Sequence, residues 1–205
     1  MRKLLKYGIV TGIYASLYAT SLSANEALPD FVYNGYIEKA EIGDRKAMFF
    51  LGLLNEQGVA PDASLENAVF WYEKSAEAGN LDGAIAAARI YQAEGNIERA
   101  YEMHRIAASL GSSEANFNLG FAHEYGNGLD KDLNLAKEYY RKAAEAGLII
   151  AMRQLGIIYW QGEGEKPDIP SAKTWLEKAA QAGDKASISL LNRLKNADEN
   201  FEKSE

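Results

Sequence analysis

The sequence predicts an all-α fold, an α-solenoid superhelix of stacked antiparallel helix pairs. Three observations predict it. Gly43, Gly79, Gly111, Gly147 and Gly183 recur at spacings of 36, 32, 36 and 36. Most of these glycines close a similar phrase, such as Tyr-Glu-Lys-Ser-Ala-Glu-Ala-Gly ending at Gly79 and Tyr-Arg-Lys-Ala-Ala-Glu-Ala-Gly ending at Gly147. Between them, small and apolar residues fall at helical spacing, as in Ala115, Leu119 and Ala122. One helical pair cannot bury its apolar side alone, so neighbouring pairs must stack to make a continuous core.

The chain opens with an address. Arg2, Lys3 and Lys6 precede a charge-free run from Tyr7 to Ala19, and the small residues Ser21, Ser23 and Ala24 follow. This is the layout of a secretory signal peptide over residues 1–24, cut after Ala24 or after Ser23. The apolar run is short for a membrane span of roughly 20 residues. The expectation is an exported chain, periplasmic or secreted, with no stable membrane insertion after cleavage.

Residues 25–43 match only the second helix of a pair and predict an N-terminal capping helix. Four repeats follow, at 44–79, 80–111, 112–147 and 148–183. In each, the first helix is aligned on an alanine, a residue four further on and its neighbour. These are Ala47, Leu51 and Gly52; Ala84, Ala88 and Arg89; Ala115, Leu119 and Gly120; Ala151, Leu155 and Gly156. The second helix carries the columns Ala68, Tyr72, Ala76 and Ala136, Tyr140, Ala144. Small residues there allow close approach, and the tyrosines fill the gaps between helices. The second repeat is shortened between Gly95 and Ala100, which predicts a tight turn, and Arg89 stands where the others have glycine. Residues 184–205 supply a C-terminal capping helix, aligned on Ala186, Leu190 and Leu191, and a polar tail.

This pattern resembles the Sel1-like repeat family, relatives of the tetratricopeptide repeats. The unit Ala151, Leu155, Gly156, Tyr159, Gly162, Gly164, Asp168, Ala172, Trp175, Ala179, Ala180, Gly183 carries the resemblance well. The resemblance covers about Asp30 to Ala197 and implies an adaptor or scaffold. This chain has no cysteine, so the disulfide-stapled branch of the family that it resembles is a poor guide to it.

Composition narrows the function. The 205 residues carry 22 basic and 29 acidic side chains, a net charge of −7. Phosphate binding needs clustered Lys and Arg, so a nucleic-acid partner is not expected. Without cysteine there is no thiolate nucleophile, thiolate metal site or disulfide. His104 falls in the column of Tyr72, Tyr140 and Leu176 and reads as a packed substitute for an aromatic ring. His123 is followed by Glu124 but lacks the second histidine of a zincin helix. Asp130-x-Asp132-x-Asn134 begins like a calcium loop, but Leu135 stands where its glycine belongs. Gly126-Asn127-Gly128 lacks the Lys-Ser/Thr of a phosphate loop. No cofactor, metal or catalytic group is expected, and the chain does not read as an enzyme.

By resemblance to the tetratricopeptide pattern, positions three, seven and ten of each first helix face a concave groove. These are Phe49, Leu53 and Glu56; Ala86, Ile90 and Ala93; Phe117, Phe121 and Glu124; Arg153, Ile157 and Trp160, with Tyr125 one place beyond Glu124. The expected partner site is Phe49, Leu53, Phe117, Phe121, Glu124, Tyr125, Arg153, Ile157 and Trp160. Phe117 and Phe121 either line the groove or pack between hairpins. The expected function is non-catalytic binding of a protein or peptide. The alternatives are a cell-wall glycan binder, with Trp160, Tyr125 and Tyr159 stacking on sugars, and a cell-envelope enzyme.

Overall fold

A computed structural model of the chain describes residues 28–162 and 166–202, with side chains as far as Asn196. The segment read as a signal peptide lies outside the described residues. The described residues form helices and no strand. In order these are α1 (Asp30–Glu41), α2 (Arg45–Glu56), α3 (Leu65–Glu77), α4 (Leu81–Ala93), α5 (Ile97–Ser109), α6 (Ser113–Tyr125), α7 (Leu133–Glu145), α8 (Ile149–Gln161), α9 (Ile169–Gln181) and α10 (Lys185–Glu202). The chain divides into two compact units, one ending at Leu110 and one beginning at Gly111. In the first, α1 to α5 each pack on the next; in the second, α6 to α10 do the same.

Local chemistry sets the boundaries. Asp44, Ser64, Asn80, Asn96, Ser112, Asp132 and Asp168 each accept a backbone N–H at a helix start. At the end of α3, Gly79 takes φ +84. That left-handed turn lets the Gly79 N–H reach Ala76 O at 2.9 Å and the Asn80 N–H reach Ser75 O at 2.9 Å. The phrase-closing glycine is thus a Schellman cap that turns the chain into the next hairpin.

The core follows the predicted columns. Leu51, Leu119, Leu155, Ala68, Tyr72, Ala136, Tyr140 and Leu176 are buried. Helix crossings are tight at the predicted glycines. A Cβ on Gly52 would sit 2.5 Å from the Tyr72 ring, and one on Gly120 would sit 2.8 Å from the Tyr140 ring.

Two alignments change. In α4 the buried residues are Gly83, Ala84, Ala87, Ala88 and Ile90. Gly83 sits four residues after Gly79, as Ala47 does after Gly43, so Gly83, Ala87 and Ala88 replace the expected Ala84, Ala88 and Arg89. The crossing position is Ala88, 1% exposed, and Arg89 points outward to pair with Glu56. Ile90, expected on the open face, is 3% exposed. The register counts from the cap, Asn80, and an alanine-rich helix offers alanines in either register. In α10, Ser187 and not Ala186 is fully buried, with Leu194 buried seven residues later. The Ser187 hydroxyl donates to Asp184 Oδ2 at 2.6 Å, which satisfies it and permits burial. The shortened turn is present as expected: residues 94–96 join α4 to α5, whereas 57–64 join α2 to α3.

Candidate functional site

Position ten of α2, α4 and α6 faces the second helix of its own hairpin. Tyr140 Oη donates to Glu124 Oε2 at 2.6 Å, and Gln154 Nε2 donates to the same carboxylate at 2.8 and 3.0 Å. Glu124 is 6% exposed. Its assignment to the partner face is therefore corrected: a buried carboxylate needs these donors and is consumed by them. Glu56 repeats the arrangement, accepting from Tyr72 Oη at 2.7 Å and pairing with Arg89. Burial pushes the Glu56 carboxyl up, but Tyr72 and Arg89 outweigh it and hold it below the ordinary carboxylate range. Burial, then the bond to the glutamate, raises both tyrosines. Gln92 holds position ten in α4, its Nε2 lying 3.1 Å from His104 Nε2.

The aromatic positions separate. Phe49 and Phe117 are half-buried, their rings 5.5 Å from Tyr72 and 5.3 Å from Tyr140. Phe117 belongs to the hairpin packing, whereas Phe49 packs on Tyr72 and also lines an open cavity. Leu53 is half-buried. Phe121 and Tyr125 are different. They are 42% and 58% exposed, and their rings lie 4.6 Å apart. Four residues apart on α6, they form one aromatic surface one helical turn long.

On α8 the three expected residues have separate fates. Arg153 is tied to Asp184 at 2.6 Å, at the start of α10. Ile157 and Trp160 line an open cavity of about 410 Å³ with Gln161, Leu190 and Arg193. The Arg193 guanidinium stands 5.3 Å from the Trp160 ring centre.

Both histidines are buried. His104 is buried, and burial lowers its pKa. His123 Nδ1 lies 2.9 Å from Asp130 O, and its ring stacks on Tyr139 at 5.8 Å. This pins the 126–132 loop. Asp132 of the calcium-like stretch caps α7, accepting from the Asn134 and Leu135 amides. Among the described residues, no group of three His, Asp or Glu side chains could hold a metal ion.

One feature on the first unit escaped the sequence reading. A cavity of about 380 Å³ opens between the start of α2 and the start of α4. It is lined by Arg45, Lys46, Phe49, Phe50, Leu81 and Asp82, among others. Counting positions three, seven and ten from the alanine skipped the first turn, where Arg45 and Lys46 lie. The signal available was their charge beside Phe49 and Phe50.

Comparison with known proteins agrees with this architecture. The family model for the Sel1 repeat matches residues 45–80, 90–112, 113–148 and 149–184. A crystal structure of a protective antigen of uropathogenic Escherichia coli, with an SLR fold, is similar at TM-score 0.60 and 33% identity. The likeness covers 83% of this chain and 38% of that one. A Sel1 repeat protein from Oxalobacter formigenes shares the fold at TM-score 0.60 and 24% identity, covering 90% of this chain and 75% of that one. Among curated proteins, the ERAD-associated E3 ubiquitin-protein ligase component HRD3 of Candida glabrata is 34% identical over 80 residues, 38% of this chain. HRD3B of Arabidopsis thaliana is 36% identical over 75 residues, 35% of this chain. These stretches are 10% and 12% of the two relatives' lengths. Among the described residues no helix is long and apolar enough to cross a membrane.

Proposed function

Because this chain belongs to the Sel1 repeat family, we propose that it is a non-catalytic module that binds another protein or peptide, as an adaptor or scaffold. The binding face is the exposed part of the first helices, the concave side of each hairpin stack. The observation that carries this is the Phe121–Tyr125 pair. Two large rings stand exposed side by side, while the neighbouring Phe117 and Glu124 are taken up by packing. Aromatic clusters at a surface are the usual anchors of protein interfaces. Two relatives named as ligase components are consistent with a role inside an assembly. The basic start, apolar run and small residues of segment 1–24 support export to the cell envelope or beyond.

The experiment is a cross-linked pull-down from native envelopes, comparing the chain with a Phe121→Ala/Tyr125→Ala variant. Both residues are exposed, so helicity should be retained. The proposal expects a discrete protein captured by the native chain and lost with the variant. Equal capture by both, or none by either, contradicts it.

A further inference from the structure

We propose that the cavity at the start of α2 receives an acidic segment of the bound protein, with an apolar side chain inserted and a neighbouring carboxylate held at the rim. This rests on the protein-binding reading above and names the chemistry of its partner.

The cavity combines two features. Phe49, Phe50 and Leu81 give it apolar walls, and Arg45 and Lys46 give it cations. The charged lining is two cations against one carboxylate. Neither Arg45 nor Lys46 is in an ion pair among the described residues. Asp82 is the carboxylate on the wall. On the wall a basic segment would meet two like charges and an acidic one meets one, Asp82; the neighbouring Asp44 carboxylate accepts from the Lys46 and Ala47 amides as the cap of α2.

The site is also held in place. Arg45 Nη1 donates to Gly79 O at 2.8 Å. The Arg45 carbonyl accepts from Ser75 Oγ at 2.7 Å and Asn80 Nδ2 at 3.3 Å. A guanidinium has five N–H donors, so one bond to a carbonyl leaves others for a carboxylate. Fixing the cation beforehand lowers the ordering cost of binding. Phe50 stacks on Tyr36 at 5.5 Å and keeps 37% of its surface exposed. Solvated cations alone hold a carboxylate weakly. The adjacent apolar walls supply the area that makes contact worthwhile, so the segment must carry both kinds of side chain.

A random peptide library displayed on phage and selected against the full chain tests this. The expected result is enrichment of peptides in which Asp or Glu flanks Phe, Leu, Ile or Trp. The enriched peptide should bind Lys46→Glu at least about tenfold more weakly, and Asp82→Asn more tightly. Lys46 and Asp82 are exposed, so neither variant threatens the fold, and Arg45→Gln gives a second, independent loss. Enriched peptides without acidic residues overturn the site, as do acidic peptides indifferent to these variants; the protein-binding reading survives both. If no peptide is enriched, the site fails, and the pull-down above decides the broader reading by itself.

Discussion

Tyr140 donates its phenolic hydrogen to Glu124 at 2.6 Å, and sixteen residues also separate Tyr72 from Glu56, which it meets at 2.7 Å. The bond joins the last turn of a first helix to the middle of the second. It turns a column that reads as plain filler into a polar latch within the hairpin. The latches differ in what else serves the carboxylate, a neutral Gln154 for buried Glu124 and a cationic Arg89 for Glu56.

Tyr140→Phe should therefore cost more than Tyr72→Phe. Removing a donor to a buried charged group costs about 1.5–3 kcal/mol. Glu56 keeps its arginine and some solvent, so its loss should be nearer 1 kcal/mol. Urea denaturation followed by helical circular dichroism measures both; equal losses would contradict the difference in burial.

Glycine substitutions should have opposite signs at two sites. Gly120→Ala places a Cβ 2.8 Å from the Tyr140 ring, and overpacking of that kind costs about 1–3 kcal/mol. Gly35 lies inside α1 with nothing within 4 Å of the added Cβ. Gly35→Ala should stabilise by up to about 1 kcal/mol through helix propensity. Thermal melts of the two variants should move in opposite directions.

His104 should make stability fall on the acid side of neutrality. Burial lowers its folded pKa below the ordinary value near 6.5. The unfolded chain then binds more protons, so stability is present above about pH 6.5 and is lost as pH falls toward the folded pKa. The slope from one such group is at most about 1.4 kcal/mol per pH unit. His104→Tyr restores the ring found at Tyr72 and Tyr140 and gives the Gln92 amide an oxygen to meet. Denaturation at pH 7 and pH 5 should show a smaller difference for the variant than for the native chain.

Leu119→Ala should cost about 2–5 kcal/mol, because Leu119 is fully buried. An unchanged melting temperature would contradict its place in the stack.

The fold was legible where identity and spacing are jointly constrained. Gly79 and Gly147 turn the chain, Gly52 and Gly120 admit a ring, and both functions allow few other residues. Register failed where the sequence offers equivalent choices. Ala84, Ala87 and Ala88 all suit a helix contact, and only the cap at Asn80 decides among them. Ser187 was passed over for Ala186 because a serine is buried only when its hydroxyl has a partner, here Asp184. The site was less legible. A helical position says which way a side chain leaves the backbone, but not what meets it. Glu124 and Phe121 both sit on the face assigned to a partner, yet Tyr140 claims the first and leaves the second exposed.

The most direct measurement places a photoreactive phenylalanine derivative at position 125 and, separately, at the exposed position 138 of α7, in the native host. The account predicts a discrete protein adduct from position 125, weakened by Phe121→Ala, and none from position 138. Adducts from position 138 alone, or none from either position, would contradict it.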